Sequence, residues 1–312
     1  MLATTAILGA AGAIGRAMVN EFALRGVPAL AIGRDGSKLT RMFGDRAEIR
    51  AADISSVEQT AAALGGVRRA VYAVGVPYPE FKRHPLLMRL ALEAARRAGV
   101  SRMVVVSSVY SYGKPRTARV SEDHPRQPET RKGRYRKEQE DAALAADGID
   151  GLRTLVLHLP DFYGPYADNS LARMIVDCVV AGKPANWLGD PEAPHEFVFV
   201  PDAARMIADL LDREDSFGRR WNFAGPGSIT GREFITRVHQ ELGRPVRIRA
   251  VGTWILRVMG LFNPLLRELV ELQYLGVTPV LLDDSRLAAH LGPLHKTPYE
   301  EGIRRMVESP PR

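Results

Sequence analysis

The chain has a single cysteine, Cys178, among its 312 residues. An internal disulfide is therefore excluded, and a reducing, cytoplasmic setting is expected. A lone thiol with no assigned partner reads as a small apolar residue rather than a nucleophile. No uninterrupted apolar run approaches the ~18 residues of a membrane span, so no membrane segment is expected. Although the net charge is +7, no basic run is interleaved with aromatics, which argues against a nucleic-acid partner. The densest basic cluster, Arg126, Arg131, Lys132, Arg134, Arg136 and Lys137, reads instead as a rim that attracts an anionic cofactor or substrate. No basic residue precedes the apolar stretch 6–14, the first being Arg16, and this speaks against a secretion signal. Internal repeats and low-complexity tracts are absent, and no metal site is expected. The rest is an ordinary globular composition, 46% hydrophobic and 25% charged, with length enough for one large α/β domain or a core and a smaller lobe.

What the chain does have is a glycine-spaced turn near its start. A short apolar run, Ala6, Ile7 and Leu8, ends in Gly9, Gly12 and Gly15, and an alanine-rich helical pattern follows. The first glycine suits a turn that needs positive φ, the second lets backbone N–H groups approach a pyrophosphate, and the third lets helix and strand pack closely. Two phosphates would then sit at the positive end of the helix, against Ala11, Gly12, Ala13, Ile14 and Gly15.

Short apolar strands and helices then alternate. A strand over 27–32 ends at Gly33 and Arg34. An acidic residue at this place holds ribose hydroxyls, whereas an arginine accommodates a 2′-phosphate. Arg34, with Lys38 behind it, favours NADP(H) over NAD(H). A third strand over 47–51 leads to Asp53 and Ile54, where Asp53 either meets the adenine amino group or caps the turn begun by Ser55 and Ser56. A fourth strand over 69–74 brings Ala73, Val74 and the open Gly75 to the same edge. The helical pattern 84–99 precedes a fifth strand, 102–106, which ends in Ser107, Ser108, Val109 and Tyr110. A polar loop over 113–133, a helix over 133–147 and a sixth strand over 152–157 complete the pattern. The fold expected is α/β, a doubly wound parallel sheet of Rossmann type with its ligand beyond the strand carboxyl ends.

After Asp161 to Pro165 the alternation fades. The expected division is a dinucleotide-binding core over 1–163, rejoined by 190–225, and a smaller, mostly helical substrate lobe over 164–189 and 226–312. A strand over 196–200 is read as returning to the core before a helix at 203–211, with a further strand at 221–223 and helix at 232–242. The very apolar stretch 254–275 is broken by Asn263 and Pro264 and reads as two packed helices of the lobe.

The glycine spacing, the Ser-Ser to Tyr-Gly strand end, the tyrosine early on the next helix and the Asp-Phe-Tyr-Gly-Pro turn together resemble the extended short-chain dehydrogenase/reductase superfamily, in its epimerase/dehydratase-like branch. The resemblance implies that a Ser after the fifth strand orients the substrate oxygen, that a Tyr exchanges its proton, and that a Lys four residues on lowers the Tyr pKa and grips the ribose. Ser108 matches the first place and Tyr135 the second, but the third is Gln139, an uncharged side chain expected to hydrogen-bond the ribose hydroxyls instead. Lys137 cannot stand in, because two residues along a helix point to nearly opposite sides. An ordinary phenol, with a pKa of ~10, is a poor base at neutral pH but a competent acid. Reduction of a carbonyl or activated alkene therefore survives the loss of lysine better than alcohol oxidation. A second reading is a binding-only NADP(H) sensor. Nucleotide-sugar epimerisation or dehydration stands third, since His195 occupies the place where such relatives carry a diphosphate-gripping Arg. Tyr110, Asp161, Tyr163 and His195 are the expected substrate contacts, His195 with the alternative of packing near the lobe junction. A homodimer through helices 85–98 and 135–146 is one arrangement and a monomer the other.

Overall fold

The structure, a computed structural model, describes residues 5–251, 270–271 and 273–309. Most of the apolar stretch read as two helices at 254–275 lies outside the described residues. Six strands follow in chain order: β1 (Thr5–Leu8), β2 (Ala29–Gly33), β3 (Glu48–Ala51), β4 (Arg69–Tyr72), β5 (Arg102–Ser108) and β6 (Arg153–Leu159). With β11 (Arg220–Asn222) they form one parallel sheet in the order β11-β6-β5-β4-β1-β2-β3. The order reverses beside β1, and that is where ligands of doubly wound sheets bind.

Because successive strand residues face opposite sides, the apolar runs supply two cores at once. Ile7, Val71, Val104 and Leu155 face α1 (Ala13–Leu24), α2 (Gly36–Phe43) and α7 (Val200–Asp212), meeting Met18, Phe22, Leu39 and Ile207. Leu8, Tyr72, Val105 and Val156 face α3 (Val57–Leu64), α4 (His84–Arg97) and α5 (Arg131–Ala145), meeting Leu64, Met88, Ala91 and Ala143. Side-chain caps start several helices: Asp35 accepts from Lys38 N at 2.8 Å, and Ser56 accepts from Gln59 N at 3.2 Å.

The chain leaves the core through β7 (Asp161–Tyr163), and β10 (Phe197–Phe199) pairs with it in parallel. The returning strand read at 196–200 is thus three residues long and joins β7, not the main sheet. The strand expected at 221–223 is the one that completes the main sheet, as β11 beside β6. Two further ribbons, β8 (Ala185–Leu188) with β13 (Ile248–Val251) and β9 (Pro194–His195) with β12 (Ile229–Thr230), stand among α6 (Leu171–Val180), α8 (Gly231–Glu241) and α10 (Tyr299–Val307). Trp187, Phe197, Phe234 and Tyr299 form the centre of this smaller lobe. The short helix α9 (Ser285–Leu291) packs through Leu287 on the main core. Among the described residues no helix is long and apolar enough to cross a membrane.

Candidate functional site

The glycine turn behaves as its spacing requires. Gly9 has φ +84°, and a Cβ there would stand 2.7 Å from the carbonyl oxygen of Ala73. A Cβ on Gly15 would stand 2.5 Å from Gly9 O and 2.6 Å from Ala10 Cα, so the first turn of α1 rests directly on the loop. Gly12 is exposed and N-caps α1 with its backbone alone, which leaves the helix N-terminus open for an anion. Ala11 and Ala13 flank it half-buried, whereas Ile14 is packed into the core and can offer only its backbone. The cradle is one that a dinucleotide pyrophosphate fits. Arg16, just after it, is buried in a 2.5 Å ion pair with Asp168 and lies 4.7 Å from the Tyr166 ring centre. This latch between α1 and the loop after β7 leaves no local signature in the sequence.

Arg34 lies exposed at the carboxyl end of β2, and Lys38 is exposed on α2. The neighbouring acid, Asp35, is committed to capping α2. Asp53 accepts from Ser55 N at 2.9 Å while Ser56 caps α3, so the turn-capping use of Asp53 is present. Those hydrogen bonds, with Arg34 and Arg83 nearby, hold its carboxyl below the usual range. Ile54 is half-buried beside it, and Ala73, Val74 and the exposed Gly75 continue the same edge.

Ser108 ends β5 with its hydroxyl buried and without a hydrogen-bond partner. Opposite it, Thr130 caps α5 by accepting from Gly133 N at 3.0 Å. Gly133 lies against Tyr110, where a Cβ would stand 2.6 Å from the carbonyl oxygen. That contact sets the rotational phase of α5: Gly133 and Glu140 face β5, and Lys132 and Arg136, one turn apart, are turned inward beside them. Lys132 Nζ lies 3.0 Å from Glu271 Oε2 and 6.0 Å from the Tyr78 ring centre. The Arg136 guanidinium lies 5.0 Å from the Phe81 ring centre and donates to Gln139 Oε1 at 2.8 Å. Burial pulls its pKa below the ordinary value. Around it the Tyr72 hydroxyl, both ring nitrogens of His84, Arg136 Nε and Gln139 Nε2 are buried with no hydrogen-bond partner. Burial and the Arg136 charge push His84 down to about 2, which keeps its ring neutral.

This arrangement corrects one expectation. Gln139 is 0% exposed and its acceptor oxygen is taken by Arg136, so it does not reach out to a ribose. Tyr135 is half-buried at the rim of the cluster containing Phe81, Val109 and Tyr110, about 200° of helical rotation from Gly133 and hence from the side facing β5. The phenols nearer the strand end are Tyr78 and Tyr110, with hydroxyls 3.2 Å apart. Burial raises both, with Asp161 adding to the rise and Arg136 opposing it. Tyr78 is absent from the sequence reading, and Lys132 and Arg136 appear there only as part of the basic rim; in the structure both cations lie near aromatic rings, Lys132 near Tyr78 and Arg136 near Phe81.

Beyond the phenols a small cleft opens between the core and the smaller lobe, lined by Val109, Asp161, His195, Glu196, Leu275 and Val280 with two prolines. His195 Nε2 lies 3.0 Å from Asp161 Oδ2, so both expected contacts line the cleft as a pair. Tyr163 does not. It is 0% exposed, enclosed by Phe197, Phe199, Phe234 and Tyr299, and Gly302 packs on its ring. The three-residue strand β7 turns Asp161 and Tyr163 to one side, yet the lobe core closes over the second. Glu196, read from the sequence only as the head of the returning strand, accepts from Leu282 N at 3.0 Å with one oxygen, while the other is ion-paired with Arg119 at 3.6 Å without a hydrogen bond.

These features have counterparts among known proteins. The description "NAD dependent epimerase/dehydratase family" matches residues 5–224. Over 152 residues the chain is 32% identical to 2'-dehydrokanamycin reductase of Streptomyces kanamyceticus, covering 47% of this chain and 43% of that protein. The chain therefore spans less than half the length of this curated relative. In three dimensions it resembles DesIV, a dTDP-glucose 4,6-dehydratase from Streptomyces venezuelae solved with NAD and TYD, at 21% identity and TM-score 0.80, covering 97% of this chain and 95% of that one. A UDP-glucuronic acid 4-epimerase from Bacillus cereus solved with NAD gives 14% identity and TM-score 0.79 over 97% of each chain. With the match extending through the glycine loop, β5, α5 and β11, the chain belongs to the NAD dependent epimerase/dehydratase family.

Proposed function

We propose that the protein is an NADP(H)-dependent reductase of a small-molecule carbonyl or activated alkene. The observation that carries this reading is the buried, unpartnered hydroxyl of Ser108 at the strand edge that carries the glycine cradle, two residues before Tyr110 of the Tyr78–Tyr110 pair. The reductase named among the relatives supports the direction of the chemistry. Gly9 to Gly15, Asp53 and Ala73 to Gly75 would hold the reduced dinucleotide, which would supply the hydride. Ser108 donates to the substrate oxygen and orients it. The proton that this oxygen takes up comes from Tyr110, replenished from Tyr78, rather than from Tyr135. Both phenols are held above their ordinary pKa, so they stay protonated and act as acids. Arg136, turned inward on α5, would supply the positive charge on the nicotinamide side of the dinucleotide, and its Nε makes no hydrogen bond within the protein.

Preference for NADP(H) rests on Arg34 being the exposed charge at the end of β2 while Asp35 is engaged as a cap. The solved neighbours named above carry NAD, so the two cofactors must be compared directly. A binding-only role is favoured by one feature, the two cations that α5 turns inward instead of a phenol and a lysine. NADPH consumption against a panel of carbonyl compounds separates the readings. Turnover should fall by about 100-fold or more in Tyr110→Phe and by under about 10-fold in Tyr135→Phe, with dinucleotide binding kept in both. Absence of turnover across the panel would favour the binding-only role.

A further inference from the structure

The segment 164–170 carries the chain from β7 into the first helix of the smaller lobe, α6, and it is fastened to the helix that begins at the glycine cradle. Tyr166 within it has φ +73°, and among the described residues Asp150 is the only other non-glycine residue with positive φ. A bulky residue keeps such a backbone only where its surroundings over-determine it. Three contacts do so here. The Tyr166 hydroxyl accepts from Asn20 Nδ2 at 2.6 Å, its ring centre lies 4.7 Å from the Arg16 guanidinium, and Asp168 Oδ2 holds Arg16 Nη1 at 2.5 Å. Behind them Asn20 Oδ1 accepts from Arg46 Nη1 at 2.6 Å, and Ala167 is buried in the main core.

Arg16 and Asn20 stand one turn apart on the same face of α1. Arg16 follows Gly15 directly, and its N–H donates to Gly12 O at 2.9 Å, so it belongs to the turn on which a pyrophosphate would rest. A buried cation there is opposed by the positive end of the helix, and Asp168 and the Tyr166 ring supply the compensation. At the other end of the strap Ser170 caps α6 by accepting from Arg173 N at 3.1 Å. A few residues thus join the first turn of α1 to the first turn of α6. From this juxtaposition we infer that Arg16, Asn20 and Tyr166 are positioning residues for the dinucleotide: their clasp on the strap couples occupancy of the cradle to the seating of the lobe. A ligand settling on α1 stiffens α6, and cutting the clasp loosens the cradle, since linkage acts equally in both directions. The inference rests on the reading of the glycine cradle as a dinucleotide site.

Hydrogen exchange on the full chain, read by mass spectrometry with and without saturating NADPH, tests the coupling. In the native sequence NADPH should slow the amides of 171–176 by at least about 5-fold, and in Tyr166→Gly, where the strain and both side-chain contacts are gone, by less than about 2-fold. Asn20→Ala separates the clasp from the helix itself by sign. Alanine raises the intrinsic helix preference of α1, so a helix acting alone would hold amides 10–16 more tightly, whereas a severed clasp should let them exchange at least about 3-fold faster without any ligand. Unchanged exchange in α4 would show that both variants remain folded. Slowing at 171–176 that survives Tyr166→Gly, its absence from the native chain despite NADPH binding, or cradle amides unmoved or slower in Asn20→Ala would overturn the inference. If neither NADPH nor NADH binds, the cofactor reading fails, and faster cradle exchange in Asn20→Ala would still support the coupling of strap and cradle.

Discussion

Arg136 has its guanidinium over the Phe81 ring, with a neutral histidine and a glutamine for company and, among the described residues, no carboxylate in ion-pair contact. Isolated buried charge is unfavourable, so a hydrophobic residue of similar length should fit the fold better than arginine does. Arg136→Met is expected to gain about 1–3 kcal/mol of stability, seen as a rise in Tm of a few degrees, while dinucleotide affinity and turnover fall. A variant that loses stability would show that the chamber is stabilised by its cation. Two other residues admit equally direct tests. Gly15→Ala places a Cβ 2.5 Å from a backbone oxygen and should weaken NADPH binding by more than about 10-fold, at about 1–3 kcal/mol of stability, as titration of cofactor fluorescence would report. Tyr163→Phe removes a hydroxyl that makes no hydrogen bond and should leave KM unchanged, which a substrate contact would not allow.

Among the elements, α5 was the least legible. The inner strands of the nucleotide-binding half could be placed from glycine punctuation and apolar runs, because a parallel sheet buried on both faces needs both; the edge strand β3, Glu-Ile-Arg-Ala, is exposed at both ends and carries a weaker signal. α5 has no such stripe: residues 131–141 are nearly all charged or polar, and nothing in their periodicity says which side is inward. The tyrosine at 135 suggests a pair at 135 and 139, whereas the residues that the structure brings near the aromatic rings are 132 and 136. The signals that would have fixed the phase are the glycine at 133, which sits where Tyr110 leaves no room for a Cβ, and Glu140. Glu140 is fully buried, accepts from Ser107 Oγ at 2.5 Å and Arg126 Nη1 at 2.9 Å, and lies 3.1 Å from His158 Nε2. Burial pushes its carboxyl up, but these partners outweigh burial and hold it at about 2. Its stabilising contribution is therefore present above the ordinary carboxyl range and is lost as pH falls toward about 2. Glu140→Gln should cost about 3–5 kcal/mol by leaving Arg126 without its buried partner, and should flatten the acid limb of a pH-denaturation curve. The lobe was hard to read for a related reason: strands of two to four residues are too short for alternation to separate Tyr163 in the core from Asp161 in the cleft.

For the molecule as a whole, Glu196 works in the sense opposite to Glu140. Burial raises it to about 7, against Leu282 N–H, Arg119 and Lys296 and with the help of Asp284; His195 and Asp161 line the same cleft, and Tyr299 packs behind. Folding thus favours its neutral form. The stability this contributes is complete below the ordinary carboxyl range and is lost as pH rises through about 7. Guanidinium titrations between pH 5 and 8 should show the unliganded protein weakening with rising pH more steeply than Glu196→Gln does. The path of the chain has a consequence of another kind. It leaves the main sheet after β6, builds part of the lobe, and comes back to lay β11 on the sheet's edge. A break at the exposed turn 181–184 would therefore not release a lobe. Residues 1–182 and 183–312, made as separate polypeptides, would each hold a share of the seven-stranded sheet, and each would be the missing half of the other's fold. Such fragments should find one another and reconstitute dinucleotide binding, which would make the protein a natural split reporter for proximity.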